Sequence, residues 1–277
     1  MSARNLLLID ADPGAQGNLS SLLQREDREI QQVPGSREAL DVLRTGPIDL
    51  VVAAQGSNGF DPLKLLRRVR SIRPDTKVIL TGDFAPQQIL HAIRQRAFGY
   101  LHRPLTPGPL GELVQQALDS GAWQDDIRVV SARPEWITLD VRCKIDAADR
   151  TTHFLREITA HLSATASEDI SSAFRELLMN AIEHGGKSDP HKRVRTSILQ
   201  ISKAIIVHIH DPGTGFSLDF LPHAAISNPD DAPTKHVEVR AETGKRPGGF
   251  GILLTKNLVD ELLYNERGNA AMFVKYL

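Results

Sequence analysis

Phe174-Arg-Glu-Leu-Leu-Met-Asn-Ala-Ile-Glu-His184 decides how the second half of the chain is read. Glu176, Asn180 and His184 are spaced four apart, and on a helix of about 3.6 residues per turn they share one face. Leu177, Leu178, Ala181 and Ile182 then turn towards a core. The stretch predicts a helix presenting a carboxylate, a carboxamide and an imidazole as one polar stripe. Gly185-Gly186 follows at once and reads as the helix stop. Alone, such a stripe is an ordinary surface helix. Its meaning comes from its company.

Downstream, Val194 to Leu199 and Ala204 to Ile209 read as a hairpin of two strands. The second runs into His210-Asp-Pro-Gly-Thr-Gly-Phe216. A carboxylate held at the end of a buried strand, Asp211, can accept a hydrogen bond from an exocyclic amine such as adenine's. Gly213 and Gly215 let backbone approach a flat ligand. By themselves these are also the usual residues of a plain turn. Next comes Lys245-Arg-Pro-Gly-Gly-Phe-Gly251, opening a helix predicted over 252–262. Free amides at a helix start favour a phosphate chain, and Lys245 and Arg246 add positive charge. Without other evidence this is a tight loop with a basic flank. The roughly thirty residues between Phe216 and Gly248 exceed a normal loop and read as a lid. The chain closes on a strand over 270–276. Upstream, Trp136 to Ile145 reads as a strand and Asp149 to Leu162 as a helix. Ser167, with Asp169 behind it, reads as the start of the central helix.

The three segments occur in order as Glu176-x-x-x-Asn180, Asp211-x-Gly213-x-Gly215 and Gly248-Gly249-x-Gly251. Together they resemble the GHKL ATPases, an α/β sandwich with a mixed sheet, helices on one face, and ATP between helices and lid. Within that group, residues 176–185, 227–231, 247–254, 258–261 and 268–275 resemble the anti-sigma-factor serine/threonine kinases of the RsbW type. The resemblance implies ATP and Mg²⁺ as cofactors. It assigns Mg²⁺ to Asn180, proton acceptance from the attacking hydroxyl to Glu176, and adenine to Asp211 with Gly213 and Gly215. It assigns the phosphates to Gly248, Gly249 and Gly251, with Arg246 at the terminal one. His184 reads as locally satisfied. The implied activity is phosphoryl transfer to a serine of a STAS-domain anti-sigma-factor antagonist, with a sigma factor as alternative partner and a homodimer as the working form. The competing reading is an ATP-binding switch without catalysis. A sensor histidine kinase fits less well. It needs a phosphoacceptor His on a long dimerising helix, and His153 is a candidate only by being present.

The first half alternates short apolar runs with helical patterns: strands at 5–9, 29–33, 48–53, 77–80 and 99–101, helices at 19–25, 36–43 (with Ser36 as cap), 62–72, 86–96 and 109–120. That is the signature of a doubly wound parallel sheet. The order resembles the receiver domain of response regulators over residues 4–122. Asp10, Asp12, Thr81 and Pro104 match its switch residues. Ala54 stands at the phosphoacceptor position, Arg103 at the lysine and Ala11 at one acid. A methyl group cannot take phosphate, so a pseudo-receiver is expected. The implied division is a receiver at 1–122, a linker at 123–130 and an ATPase domain at 131–277.

Composition excludes more than it selects. Among 277 residues the formal net charge is −1, so no basic field argues for nucleic acid. No apolar run reaches membrane-spanning length. One cysteine, Cys143, rules out an internal disulfide and fits a reducing cytoplasm.

Overall fold

The computed structural model describes residues 3–10, 19–56, 60–133, 135–215 and 250–277. The chain divides into two compact units, Met1–Gln124 and Asp125–Leu277.

In the first unit the strands are β1 (Arg4–Ile9), β2 (Arg28–Val33), β3 (Leu50–Ala54), β4 (Lys77–Thr81) and β5 (Gly99–Leu101). The helices are α1 (Leu19–Leu23), α2 (Ser36–Thr45), α3 (Pro62–Ile72), α4 (Pro86–Arg94) and α5 (Pro107–Asp119). The sheet order is β2-β1-β3-β4-β5, every pair parallel, the flavodoxin-like order. All of β3 is buried, which is why its sequence is a continuous apolar run rather than an alternation. α3 starts where Asp61 accepts the Leu63 and Lys64 N–H groups at 2.9 and 3.2 Å, with Pro62 in the first turn. The expected cap at Ser36 is not formed: Gly35 is the N-cap, with no side-chain bond.

The second unit contains β6 (Ile127–Arg133), β7 (Trp136–Arg142), α6 (Ile145–Ile158), α7 (Ala164–Asn180), a π-helical turn (Ala181–Gly185), β8 (Arg193–Ile201), β9 (Ala204–His210), α8 (Gly251–Leu258), β10 (Glu261–Tyr264) and β11 (Ala270–Tyr276). Its sheet runs β10-β11-β9-β8-β7-β6. Ile137, Leu139, Val141, Val194, Ile198, Ile205, Val207, Ile209 and Phe273 are buried at alternate positions of four strands. α6 and α7 pack on that sheet, and α7 also packs on α8. The expected mixed sheet is a correction: every described pair is antiparallel. Two helices, not one, join β7 to β8, and a connection that crosses the sheet twice returns the chain antiparallel.

Three further expectations are corrected. Residues 123–130 are not a linker. Trp123 is buried edge-on against Phe98, centroids 5.5 Å apart, in the first unit. Asp126 is buried and paired with Lys144 at 2.8 Å, and β6 starts one residue later. The central helix begins at Ala164, not Ser167, because Ser163 Oγ accepts the Ala166 N–H at 3.2 Å. The last helix stops at Leu258, not 262. Asp260 N–H donates to Val274 O at 3.0 Å, drawing the chain into β10 beside β11.

Candidate functional site

α7 buries Ile170, Ala173, Phe174, Leu177 and Leu178, leaving Glu176 and Asn180 half-buried on another face. At Ala181 the helix loosens. Gly186 N–H donates to Ala181 O at 2.8 Å, five residues back. A π turn breaks the four-residue register, so His184 is exposed and leaves the stripe of Glu176 and Asn180. The glycines after it do not form a left-handed cap. Gly186 is right-handed, φ −81°. Close approach requires them instead. A Cβ on Gly185 would lie 2.1 Å from Asp211 Oδ1, and one on Gly186 2.3 Å from Cys143 Sγ.

Asp211 follows directly on β9. Its N–H donates to Asn269 O at 3.0 Å, and its Oδ1 accepts the Gly213 N–H at 2.7 Å. Burial pushes its carboxyl above the usual range, partly offset by that N–H. Gly213 packs on Gly185: a Cβ on Gly213 would lie 2.8 Å from Gly185 Cα. Gly215 has φ +84°, and its added Cβ would lie 1.8 Å from Arg267 O. That carbonyl belongs to the β10–β11 turn, where buried Asn269 accepts from Asn265 Nδ2 at 2.9 Å. The sequence alone does not mark Asn265, Asn269 or Gly185 as site residues. The Asn265-Glu-Arg-Gly-Asn269 composition signals a turn, but nothing local says that it backs Asp211.

At the start of α8, a Cβ on Gly251 would lie 2.7 Å from Glu176 Oε2 and 3.5 Å from Asn180 Nδ2. A carboxylate and a carboxamide one turn apart thus face a helix N-terminus, where amides lack intrahelical partners. The structure therefore forms two groups along one helix: Glu176 and Asn180 with Gly251, and Asp211 and Gly213 with Gly185 at the end of the same helix. Gly215 packs instead against the backbone of Arg267 and Asn269. Arg246, Gly248 and Gly249 lie outside the described residues, as does Asp12.

The donor set fits a magnesium nucleotide. Asn180 offers an amide oxygen, the α8 N-terminus suits phosphate, and Asp211 offers an acceptor held in place by glycines whose Cβ atoms would displace its carboxylate. Mg²⁺ uses few protein ligands and keeps waters, so one amide with the phosphates suffices.

Residues 142–275 match the model of the histidine kinase-like ATPase domain. Residues 6–115 match that of the response regulator receiver domain. The chain joins a receiver domain to a histidine kinase-like ATPase domain. ATP binding goes with the second of these domains. Transcriptional regulatory protein GlrR of Escherichia coli (strain K12) is 28% identical over 125 residues, 45% of this chain and 28% of GlrR. Sensor kinase CckA of Brucella abortus is 28% identical over 121 residues, 43% of this chain and 13% of CckA. The chain thus spans less than a third of the length of either. The crystal structure of a CheY-like receiver domain protein from Methanospirillum hungatei JF-1 is similar with a TM-score of 0.40 and 21% identity, covering 43% of this chain and 95% of that one. Among the described residues no helix is long and apolar enough to cross a membrane.

In the receiver domain, Ala54 closes β3 with its methyl fully buried, in register with Thr81. Arg103 Nη2 donates to Gln55 O. Asp49 accepts the Asn5 N–H at 2.8 Å and Asp61 caps α3, so both nearby acids have structural work.

Proposed function

We propose that the protein is an ATP-dependent protein serine/threonine kinase of the anti-sigma-factor type, phosphorylating a serine on a STAS-domain antagonist in the cytoplasm. It would hold a sigma factor in alternation, act as a homodimer, and be controlled through a receiver domain that cannot itself be phosphorylated at position 54. The observation that carries this reading is the Glu176 carboxylate, one turn before Asn180 and against the first residue of α8. A site built only to bind nucleotide has no need of a carboxylate there. Bound Mg²⁺-ATP supplies the transferable phosphoryl group and the charge neutralisation that phosphoryl transfer chiefly requires. Glu176 accepts the proton of the incoming serine hydroxyl. Asn180 holds the metal through its carbonyl oxygen. The α8 amides, with Gly248, Gly249, Gly251 and Arg246, hold the phosphates. Asp211 orients the base, with Gly213 beside it, while Gly215 lets the turn pass close to Arg267.

The test incubates γ-labelled ATP with the protein and a STAS partner. Label on the partner's serine, lost in Glu176→Ala with ADP affinity kept, supports the kinase. A complex that needs ATP but carries no label supports the second reading, a non-catalytic ATP-binding switch that sequesters its partner. The Asp211–Gly185–Gly213 packing serves that reading equally well, because it concerns binding alone.

A further inference from the structure

The receiver domain carries a feature that nucleotide chemistry does not use. α3 is bolted down by two arginines whose guanidinium groups are spent on backbone carbonyls. Arg70 donates to Pro74 O, Thr76 O and Arg96 O at 3.2, 2.5 and 2.6 Å. Arg73 donates to Leu43 O and Gly46 O at 3.0 and 3.2 Å. The outward face of the helix then holds Lys64, Arg67 and Arg68, all exposed. These positions, i, i+3 and i+4, form one stripe. α3 contains no acidic residue. Its cap Asp61 reaches only Lys64, at 3.6 Å. No hydrogen bond or ion pair reaches Arg67 or Arg68 among the described residues. α2 and α4 pack on either side. Like charges at this spacing oppose helix formation, so the stripe works against the fold that presents it.

We infer that the outward face of α3 docks an acidic segment of a partner protein, its carboxylates meeting Lys64, Arg67 and Arg68. Arginine forks bind carboxylates in pairs of parallel hydrogen bonds, which gives the contact direction as well as charge. The dimensions favour a peptide over nucleic acid. Eleven helical residues span about 16 Å and offer three outward cations, whereas binding to duplex DNA typically neutralises about 6–10 phosphates.

The full-length protein is titrated with a fluorescein-labelled helical peptide of about 16 residues carrying Glu at i, i+3, i+4 and i+7, read by anisotropy. The peptide should bind, and binding should weaken at least about tenfold in Arg67→Glu/Arg68→Glu and fall with salt as about three released ions require. Arg67→Lys/Arg68→Lys should keep part of the affinity. Arg25→Glu, an exposed arginine on another part of the domain, is charge-matched to Arg67→Glu alone and should leave binding unchanged where Arg67→Glu weakens it. ADP affinity should stay constant in all variants, which confirms folding and separates this test from that of the kinase site. No peptide binding, an equal loss in Arg25→Glu, or tighter Arg67-dependent binding of duplex DNA would each overturn the assignment.

Discussion

Gly185→Ala tests the contact on which the nucleotide site is built. An added Cβ would lie 2.1 Å from Asp211 Oδ1 and 2.2 Å from its Cγ. Ordinary packing needs the carboxylate to retreat by about 1 Å or more. The Gly213 N–H to Oδ1 bond, 2.7 Å long, does not survive that movement, and neither does any bond from Oδ2 to a base. One hydrogen bond to a charged group is worth about 1.5–3 kcal/mol, so ADP affinity should fall about 10- to 150-fold. Overpacking should also cost about 1–3 kcal/mol of stability. Titration calorimetry with ADP and Mg²⁺ reads the first effect and thermal unfolding the second. Adding Asp211→Gly to Gly185→Ala removes the Oδ1, Cγ and Cβ atoms that the added methyl would meet, so stability should recover in part while binding stays lost, a coupling that a double-mutant cycle isolates. If Gly185→Ala binds ADP within about twofold of the parent and melts at the same temperature, the geometry at the end of α7 does not place Asp211 as argued.

Acidification provides two more checks. Burial raises the Asp211 carboxyl, so ADP affinity should begin to fall at a pH above the ordinary carboxylate range, and Asp211→Asn should remove that part of the profile. Asp140 behaves oppositely. It is buried, and the Arg195 hydrogen bonds, at 2.7 and 3.1 Å, with Arg128 hold its carboxyl below the usual range. A depressed folded value means stability that is present above the unfolded value, about 3.9, and is lost as pH falls through the folded one. Asp140→Asn should therefore lower the melting temperature at pH 7 and flatten the acid limb of the stability profile. A parallel acid limb in the variant would count against the pairing. Acetyl phosphate should leave the receiver domain unmodified by mass spectrometry, since Ala54 has no acceptor and Asp49 and Asp61 are engaged. An aspartyl phosphate on either would refute that reading.

How far the fold could be read depended on whether its cause lay within one segment. The runs at Leu6–Ile9 and Leu50–Ala54 are apolar because both faces of their sheet are covered, and that need is written into consecutive residues. α3 and β11 have the expected bounds for the same kind of reason: Asp61-Pro62 starts the helix locally, and Ala270–Tyr276 alternates. The four-residue spacing of Glu176 and Asn180 is enough to put them on one helix face. Other features have causes a long way off in sequence. β6 and β10 exist because β7 and β11 offer them hydrogen-bonding edges. The π turn at Ala181–Gly185 moves His184 out of phase where Gly185 and Gly186 pass close to Asp211 and Cys143. No periodicity reports a contact between residues 185 and 211. It depends on packing α7 over the end of β9, where removal of a single methyl-sized volume lets a helix end touch a carboxylate.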